Sequence, residues 1–143
     1  MNSRRNFLKK TCGFCVALGG IGFASSLLES CSSVPMIKAS AANNKVSVPV
    51  NAFATDKPYV LVRVNSLEND ILLVRNADGT FNGLYMKCTH QDQPLSVSGN
   101  GLHCSAHGSS FDLEGNVTQS PATLPLKKYK ATQNGESIII QLN

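Results

Sequence analysis

The sequence has no tryptophan, and aromatic residues make up only 6% of its 143 positions. A core without large aromatics must rely on Val, Ile and Leu. A single small domain of that kind is marginal on buried area alone and gains from a staple such as a bound metal. Charge is sparse as well, at 15% of residues, and the formal net charge of +4 comes from the N-terminal leader. Removing Arg4, Arg5, Lys9 and Lys10, together with the leader's one acid, Glu29, leaves nine basic against eight acidic residues from Cys31 onward, or net +1. That near-neutral remainder has no basic stripe, which argues against a nucleic-acid partner. Nothing resembling an acid–base pair for catalysis stands out, so substrate chemistry of its own is not expected. No amphipathic helix follows the leader and no segment repeats.

The leader itself is informative. Ser3-Arg4-Arg5-Asn6-Phe7-Leu8-Lys9 matches the S-R-R-x-F-L-K pattern of a twin-arginine export signal, and an uncharged apolar stretch from Thr11 to Leu28 follows it. A basic region before an apolar one is signal architecture. Cys12-Gly13-Phe14-Cys15 has redox-motif spacing, but inside the apolar stretch it reads as signal filler. Three fates of the leader stay open. Leu28-Glu29-Ser30-Cys31 resembles a lipobox, in which Cys31 is lipidated after cleavage. Ala39-Ser40-Ala41 offers a small-residue cleavage site. Thr11–Leu28 is also close to the length of a retained anchor, since about 17–25 residues span a bilayer. The resulting division is a leader over residues 1–30, a flexible polar tether over 31–45 and a folded domain over 46–143.

From Val46 the pattern becomes short β-branched runs bounded by turn residues. Val46–Val50 alternates. Tyr59–Val64 and Ile71–Arg75 are strands, and Asp78-Gly79 marks a turn before Phe81–Lys87. Gly99-Asn100-Gly101 signals a hairpin before Leu102-His103-Cys104. Leu126–Ala131 and Ser137–Leu142 close the chain, with Gly135 in the turn between them. The expected class is all-β: an antiparallel β-sandwich of short strands.

Two segments sixteen residues apart carry the chemistry: Cys88-Thr89-His90 and Cys104-Ser105-Ala106-His107-Gly108-Ser109. Each offers one thiolate and one imidazole on a loop after a strand, so two loop tips clasp one cofactor. Thiolate with neutral imidazole suits iron–sulfur or zinc. Zinc normally takes C-x2-4-C with H-x3-5-H, not C-x-H paired with C-x2-H. Gly108 removes a Cβ where the backbone must pass close to the bound group. His103 alternates with Cys104 on a strand and faces away from it, a structural position.

The run Cys88-Thr89-His90, Cys104-x-x-His107-Gly108-Ser109-x-Phe111-Asp112, then Gly115-x-Val117 and Pro121-Ala122, resembles the Rieske domain family over roughly Tyr59 to Leu142. The resemblance implies one 2Fe-2S cluster, with Cys88 and Cys104 on the buried iron and His90 and His107 on the outer iron. It implies two cluster-binding loops at one tip, covered by a proline loop at Pro121-Ala122. Thr89 would hydrogen-bond locally within its loop, and Leu95 would be the apolar residue after the first ligand segment. Two thiolates cancel the two charges of the oxidised core, so adding an electron costs less than with four thiolates. Rieske centres accordingly span about −150 to +300 mV, against about −400 mV for plant-type ferredoxins.

The departures from the family pattern are as telling as the matches. Rieske subunits of quinol-oxidising cytochrome bc complexes carry two more cysteines, which join the two loops. Here those positions are Gln93 and Ala106, so the resemblance implies no loop disulfide. Asp92 resembles the C-T-H-x-D segment of soluble Rieske ferredoxins. Ser109 keeps a hydroxyl that donates to the cluster in bc-type subunits, whereas Phe111 lacks a second one. Such donors stabilise the reduced state and raise the potential, so an intermediate potential is expected.

The implied function is one-electron transfer in an exported, membrane-tethered protein at the periplasmic face of a bacterial membrane. The leading expectation is the iron–sulfur subunit of a quinol-oxidising cytochrome bc-like complex, with a cytochrome or large oxidoreductase subunit as partner. The alternatives are the small subunit of an exported oxidase of the arsenite oxidase type, a stand-alone Rieske ferredoxin and, from a different class, a zinc-stabilised binding module.

Overall fold

The computed structural model describes residues 34–143; the leader and Cys31 lie outside them. Among the described residues, eleven strands form two sheets. The first five are β1 (Met36–Ala39), β2 (Lys45–Pro49), β3 (Tyr59–Val64), β4 (Ile71–Arg75) and β5 (Phe81–Tyr85). Then come β6 (Ser96–Ser98), β7 (Gly101–His103), β8 (Ser110–Asp112) and β9 (Val117–Gln119), followed by β10 (Lys128–Asn134) and β11 (Ser137–Gln141). The large sheet runs β1-β3-β4-β5-β10-β11-β2, and the small one runs β6-β7-β8-β9. The expected all-β fold of short strands is what forms. Pairing is antiparallel except at one edge, where β1 lies parallel to β3 with Met36 opposite Leu61 and Ala39 opposite Val64.

That edge corrects the expected tether over 31–45. Within it, Met36–Ala39 is a strand, Ala42 and Lys45 exchange two backbone hydrogen bonds of 2.9 Å, and Asn43 and Asn44 sit at φ 51° and 56°. Two successive positive φ angles make a type I′ hairpin turn, and Asn is among the few residues that adopt them readily. The small polar residues are therefore a turn. Its arms separate to opposite ends of the large sheet, β1 onto β3 and β2 onto β11, which curls the sheet into a partly closed barrel.

The large sheet separates two cores, and strand periodicity explains why. Successive side chains point to opposite faces. Ile71 and Leu73 of β4 join Val60, Val62, Ile138 and Ile140 in the barrel interior. Leu72 and Val74 join Leu84 of β5 and Leu102 and Phe111 of the small sheet in the second core. Both β4 and β5 are thus apolar on two faces. Gly83 of β5 faces a crowded barrel interior, where a Cβ would stand 3.2 Å from Ile71 Cγ2 and 3.3 Å from Tyr129 Cβ. Among the described residues no helix is long and apolar enough to cross a membrane.

Candidate metal centre

The second core delivers the two sequence-predicted segments to one place. β5 leads into the loop of Cys88 and His90, and β7 and β8 flank the loop of Cys104 and His107. The loops share one backbone plan. Cys88 N donates to Gln93 O at 2.8 Å and Asp92 N to Cys88 O at 2.9 Å. Cys104 N donates to Ser109 O, and Gly108 N to Cys104 O, both at 2.9 Å. In each loop the amide four residues after the cysteine returns to its carbonyl, and that residue has positive φ: 56° at Asp92 and 83° at Gly108. Gly108 is explained by this conformation, because a Cβ there would only touch Gln119 Nε2 at 3.8 Å. Asp92 fills the equivalent position because Asp tolerates the left-handed region better than most residues.

Cys88 and Cys104 are each 1% exposed, with free thiols, and pack among Leu84, Leu95, Leu102 and Phe111. His90 and His107 are further out, with ring centroids 5.0 Å apart and planes at 82°. His90 Nδ1 is buried without a hydrogen-bond partner. A buried polar nitrogen left unpaired is costly unless something else binds it, and a metal would. Among the described residues, no three His, Cys, Asp or Glu side chains converge on a single ion. The donors instead form a buried thiol pair and an outer imidazole pair. A tetrahedral zinc site needs four ligands around one ion, whereas a Rieske centre has both histidines on one of its two irons. The residues present fit the two-iron cluster.

The Ser120–Pro125 loop is fastened to both ligand loops. Ala122 N donates to Ser109 Oγ at 3.0 Å. Thr89 Oγ1 donates to Leu124 O at 2.7 Å, across 35 residues of sequence, so Thr89 does not bond locally as expected. Pro121, reached through a cis peptide, is exposed; Ala122 is the buried residue of the cover. Ser109 is fully buried, and no acceptor among the described residues takes its hydroxyl proton, so that proton would be free to donate to a bound cluster. Phe111 is 1% exposed and brings no donor. His103 Nδ1 lies 3.2 Å from Ser110 Oγ across the β7–β8 pair, in a structural role.

An ion-pair group flanks the first ligand loop. Lys87 Nζ lies 3.6 Å from both Glu68 Oε2 and Asp92 Oδ2. Burial pushes the Lys87 pKa down, but the carboxylates of Asp92 and Glu68 outweigh it and the net shift is upward. This group and the Thr89–Leu124 bond were not legible in the sequence. Their partners lie on other loops, and no local motif marks them.

The Rieske [2Fe-2S] domain model matches residues 44–130, and the chain belongs to that family. The family binds a single 2Fe-2S cluster. Cys88, Cys104, His90 and His107 are the residues that would hold it here, and when bound it supplies a one-electron redox couple. The chain is 32% identical over 89 residues to the cytochrome b6-f complex iron-sulfur subunit of Chlorobaculum thiosulfatiphilum, covering 61% of this chain and 49% of that one. It thus spans about half the length of that relative. To the subunit of the same name from Chlorobaculum tepidum it is 25% identical over 142 residues, covering 97% of this chain and 75% of that one. Among solved structures, the cyanobacterial plasma membrane Rieske protein of Synechocystis matches with TM-score 0.57 and 23% identity, over 67% of this chain and 98% of that one. That likeness shows the fold.

Proposed function

We propose that this chain carries single electrons through a Rieske cluster as the iron–sulfur subunit of a quinol-oxidising, cytochrome bc-like complex. The observation that carries the reading is the layered donor set. Two thiols are 1% exposed, while the imidazole of His107 is exposed beside the buried Nδ1 of His90. Electrons would enter and leave through the histidine edge, the side of the donor set that a quinol or a redox partner can reach. The relatives named as cytochrome b6-f iron-sulfur subunits support the same assignment.

In this reading the protein is exported by its twin-arginine leader and held at the periplasmic face of the membrane, by a lipid on Cys31 or by a retained N-terminal anchor. Cleavage after Ala41 fits poorly, because it would strip β1 from the large sheet. The test is isolation of the chain from the membrane with its partners. Co-purification with a cytochrome b and a cluster reducible by quinol are expected; a colourless, zinc-loaded protein would defeat the reading.

The second reading is the small electron-transfer subunit of an exported oxidoreductase, or a stand-alone carrier of ferredoxin type. Gln93 and Ala106 favour it, since neither can form a loop disulfide. A large molybdenum-type partner in the same isolation would select the oxidase version.

A further inference from the structure

The β8–β9 connection, Leu113-Glu114-Gly115-Asn116, leads into Val117-Thr118. Asn116-Val117-Thr118 is the only N-x-S/T tripeptide in the sequence, and with x other than Pro that tripeptide is the acceptor for N-linked glycosylation. Such tripeptides are common by chance; what distinguishes this one is its setting. Glu114, Asn116 and Thr118 are exposed, while Gly115 is buried and Val117 half-buried. Packing holds the two inward positions. A Cβ on Gly115 would stand 3.0 Å from Leu84 Cδ2, the Gly115 carbonyl accepts the Leu126 amide at 2.8 Å, and Val117 packs against the second core. The residues that the acceptor tripeptide specifies, Asn and Thr, are therefore the exposed ones, and the unspecified residue between them is turned in.

A backbone irregularity presents Thr118. Phe111 pairs with Val117 and Ser110 with Gln119, so Thr118 stands opposite no residue of β8. It is the extra residue of a β-bulge, a feature that re-aims side chains at sheet edges, and β9 is an edge strand of the small sheet. The turn presents Asn116. Its backbone N–H and one side-chain N–H donate to the Asp112 carboxylate at 2.7 and 3.0 Å. The other N–H of Nδ2 has no acceptor among the described residues. Asp112 and Thr118 also line a cavity of about 290 Å³ on the outer face of the small sheet, together with Ser98, His103 and Ser110. That polar shelf offers a first sugar hydrogen-bonding partners next to the amide.

We propose that Asn116 is a glycosylation site, whose Nδ2 accepts an oligosaccharide from a polyprenyl diphosphate carrier. The proposal rests on the export reading above. In the transfer, Nδ2 bonds to the anomeric carbon of the first sugar, and the bond from that carbon to the diphosphate oxygen breaks. The polyprenyl diphosphate leaves with the electron pair, and Nδ2 gives up one proton to the transferase. A chain exported already folded has to offer its acceptor on the folded surface, which this turn and bulge do. The site also stands clear of the metal centre. β8 follows the Cys104–Ser109 segment and β9 leads back to the Ser120–Pro125 loop, so the turn between them lies at the other end of the small sheet. A bulky, hydrophilic glycan there leaves the histidine edge open to a redox partner.

The test uses the full chain isolated from the cell envelope of its own host, digested and read by tandem mass spectrometry. The peptide that contains Asn116 should carry the mass increment of a hexose or hexosamine chain, located on that residue. Thr118→Val should lose the increment and Thr118→Ser should keep it, because serine satisfies the same acceptor tripeptide. Thr118 is exposed in an edge bulge, so the visible spectrum of the loaded protein should be the same in all three forms. An unmodified Asn116 in the exported chain would overturn the proposal and leave that residue to the turn alone. An increment that survives Thr118→Val would overturn it as well. Protease added to spheroplasts reports export separately. A chain that stays protected defeats the export reading, whereas an accessible chain with an unmodified Asn116 defeats only this inference.

Discussion

The Thr89 hydroxyl donates to the Leu124 carbonyl at 2.7 Å, tying the first ligand loop to the cover that also receives Ser109. With Cys88 and Cys104 as candidate iron ligands, neither loop has a further cysteine for a disulfide, and this bond is a brace between loop and cover in its place. Thr89→Val should weaken the cover by about 0.5–1.5 kcal/mol, and Thr89→Ser should restore it. Thermal melts of the loaded protein, with the rate of cluster bleaching, measure both. Equal stability of all three forms would remove the brace from the account.

Ser109 accepts from Ala122 N, and its own proton, with no acceptor among the described residues, would be free to donate to a bound cluster. Ser109→Ala should lower the midpoint potential, because a donor that favours the reduced state is lost. It should also cost about 1–3 kcal/mol, because the buried Ala122 amide is left unpaired. A redox titration separates the two effects; an unchanged midpoint would confine Ser109 to the structural task.

The matching loop plans predict an asymmetric response at equivalent positions. Gly108→Ala places a Cβ at φ 83° and should destabilise by about 1–2 kcal/mol. Asp92→Gly relieves the same strain and gives up only the exposed contact with Lys87, so it should be near neutral. Denaturant midpoints of the two variants test this directly.

The Asn43-Asn44 turn predicts that Asn44→Gly raises stability, since Asn-Gly is strongly preferred in type I′ turns. Ile37→Asp should instead loosen β1, exposing the β3 edge to faster amide exchange at Leu61 and Arg63. Unaltered exchange there would mean that β1 contributes little to the sheet.

Acid stability should depend on Asp78. Hydrogen bonds from the Thr80 hydroxyl and amide hold its carboxyl below the usual range. A depressed folded-state pKa gives stability that is present above the unfolded value and lost as pH falls through the folded one. Thr80→Val should shrink that increment near neutral pH and leave strongly acidic conditions unchanged, as pH-dependent melts report.

The strands were legible because β-branched runs such as Tyr59–Val64 and Ile71–Arg75 carry their own signal, and the four candidate ligands stood out because their residue types and spacing admit few metals. The tether was misread because Asn43-Asn44 in a run of small polar residues looks the same whether its flanks pair or not. Only the edges of β3 and β11 decide that they do.

By itself, then, the sequence determined the all-β class, the candidate donor set of Cys88, His90, Cys104 and His107 and the lack of further cysteines in the two loops, since each is a matter of residue type at short range. Tertiary structure alone decided that Thr89 reaches Leu124, that Asp92 and Gly108 are equivalent, and that Lys87 stands between Glu68 and Asp92. Those relations join residues that are distant in the chain, and such neighbours are set by how the two sheets stack around β4 and β5.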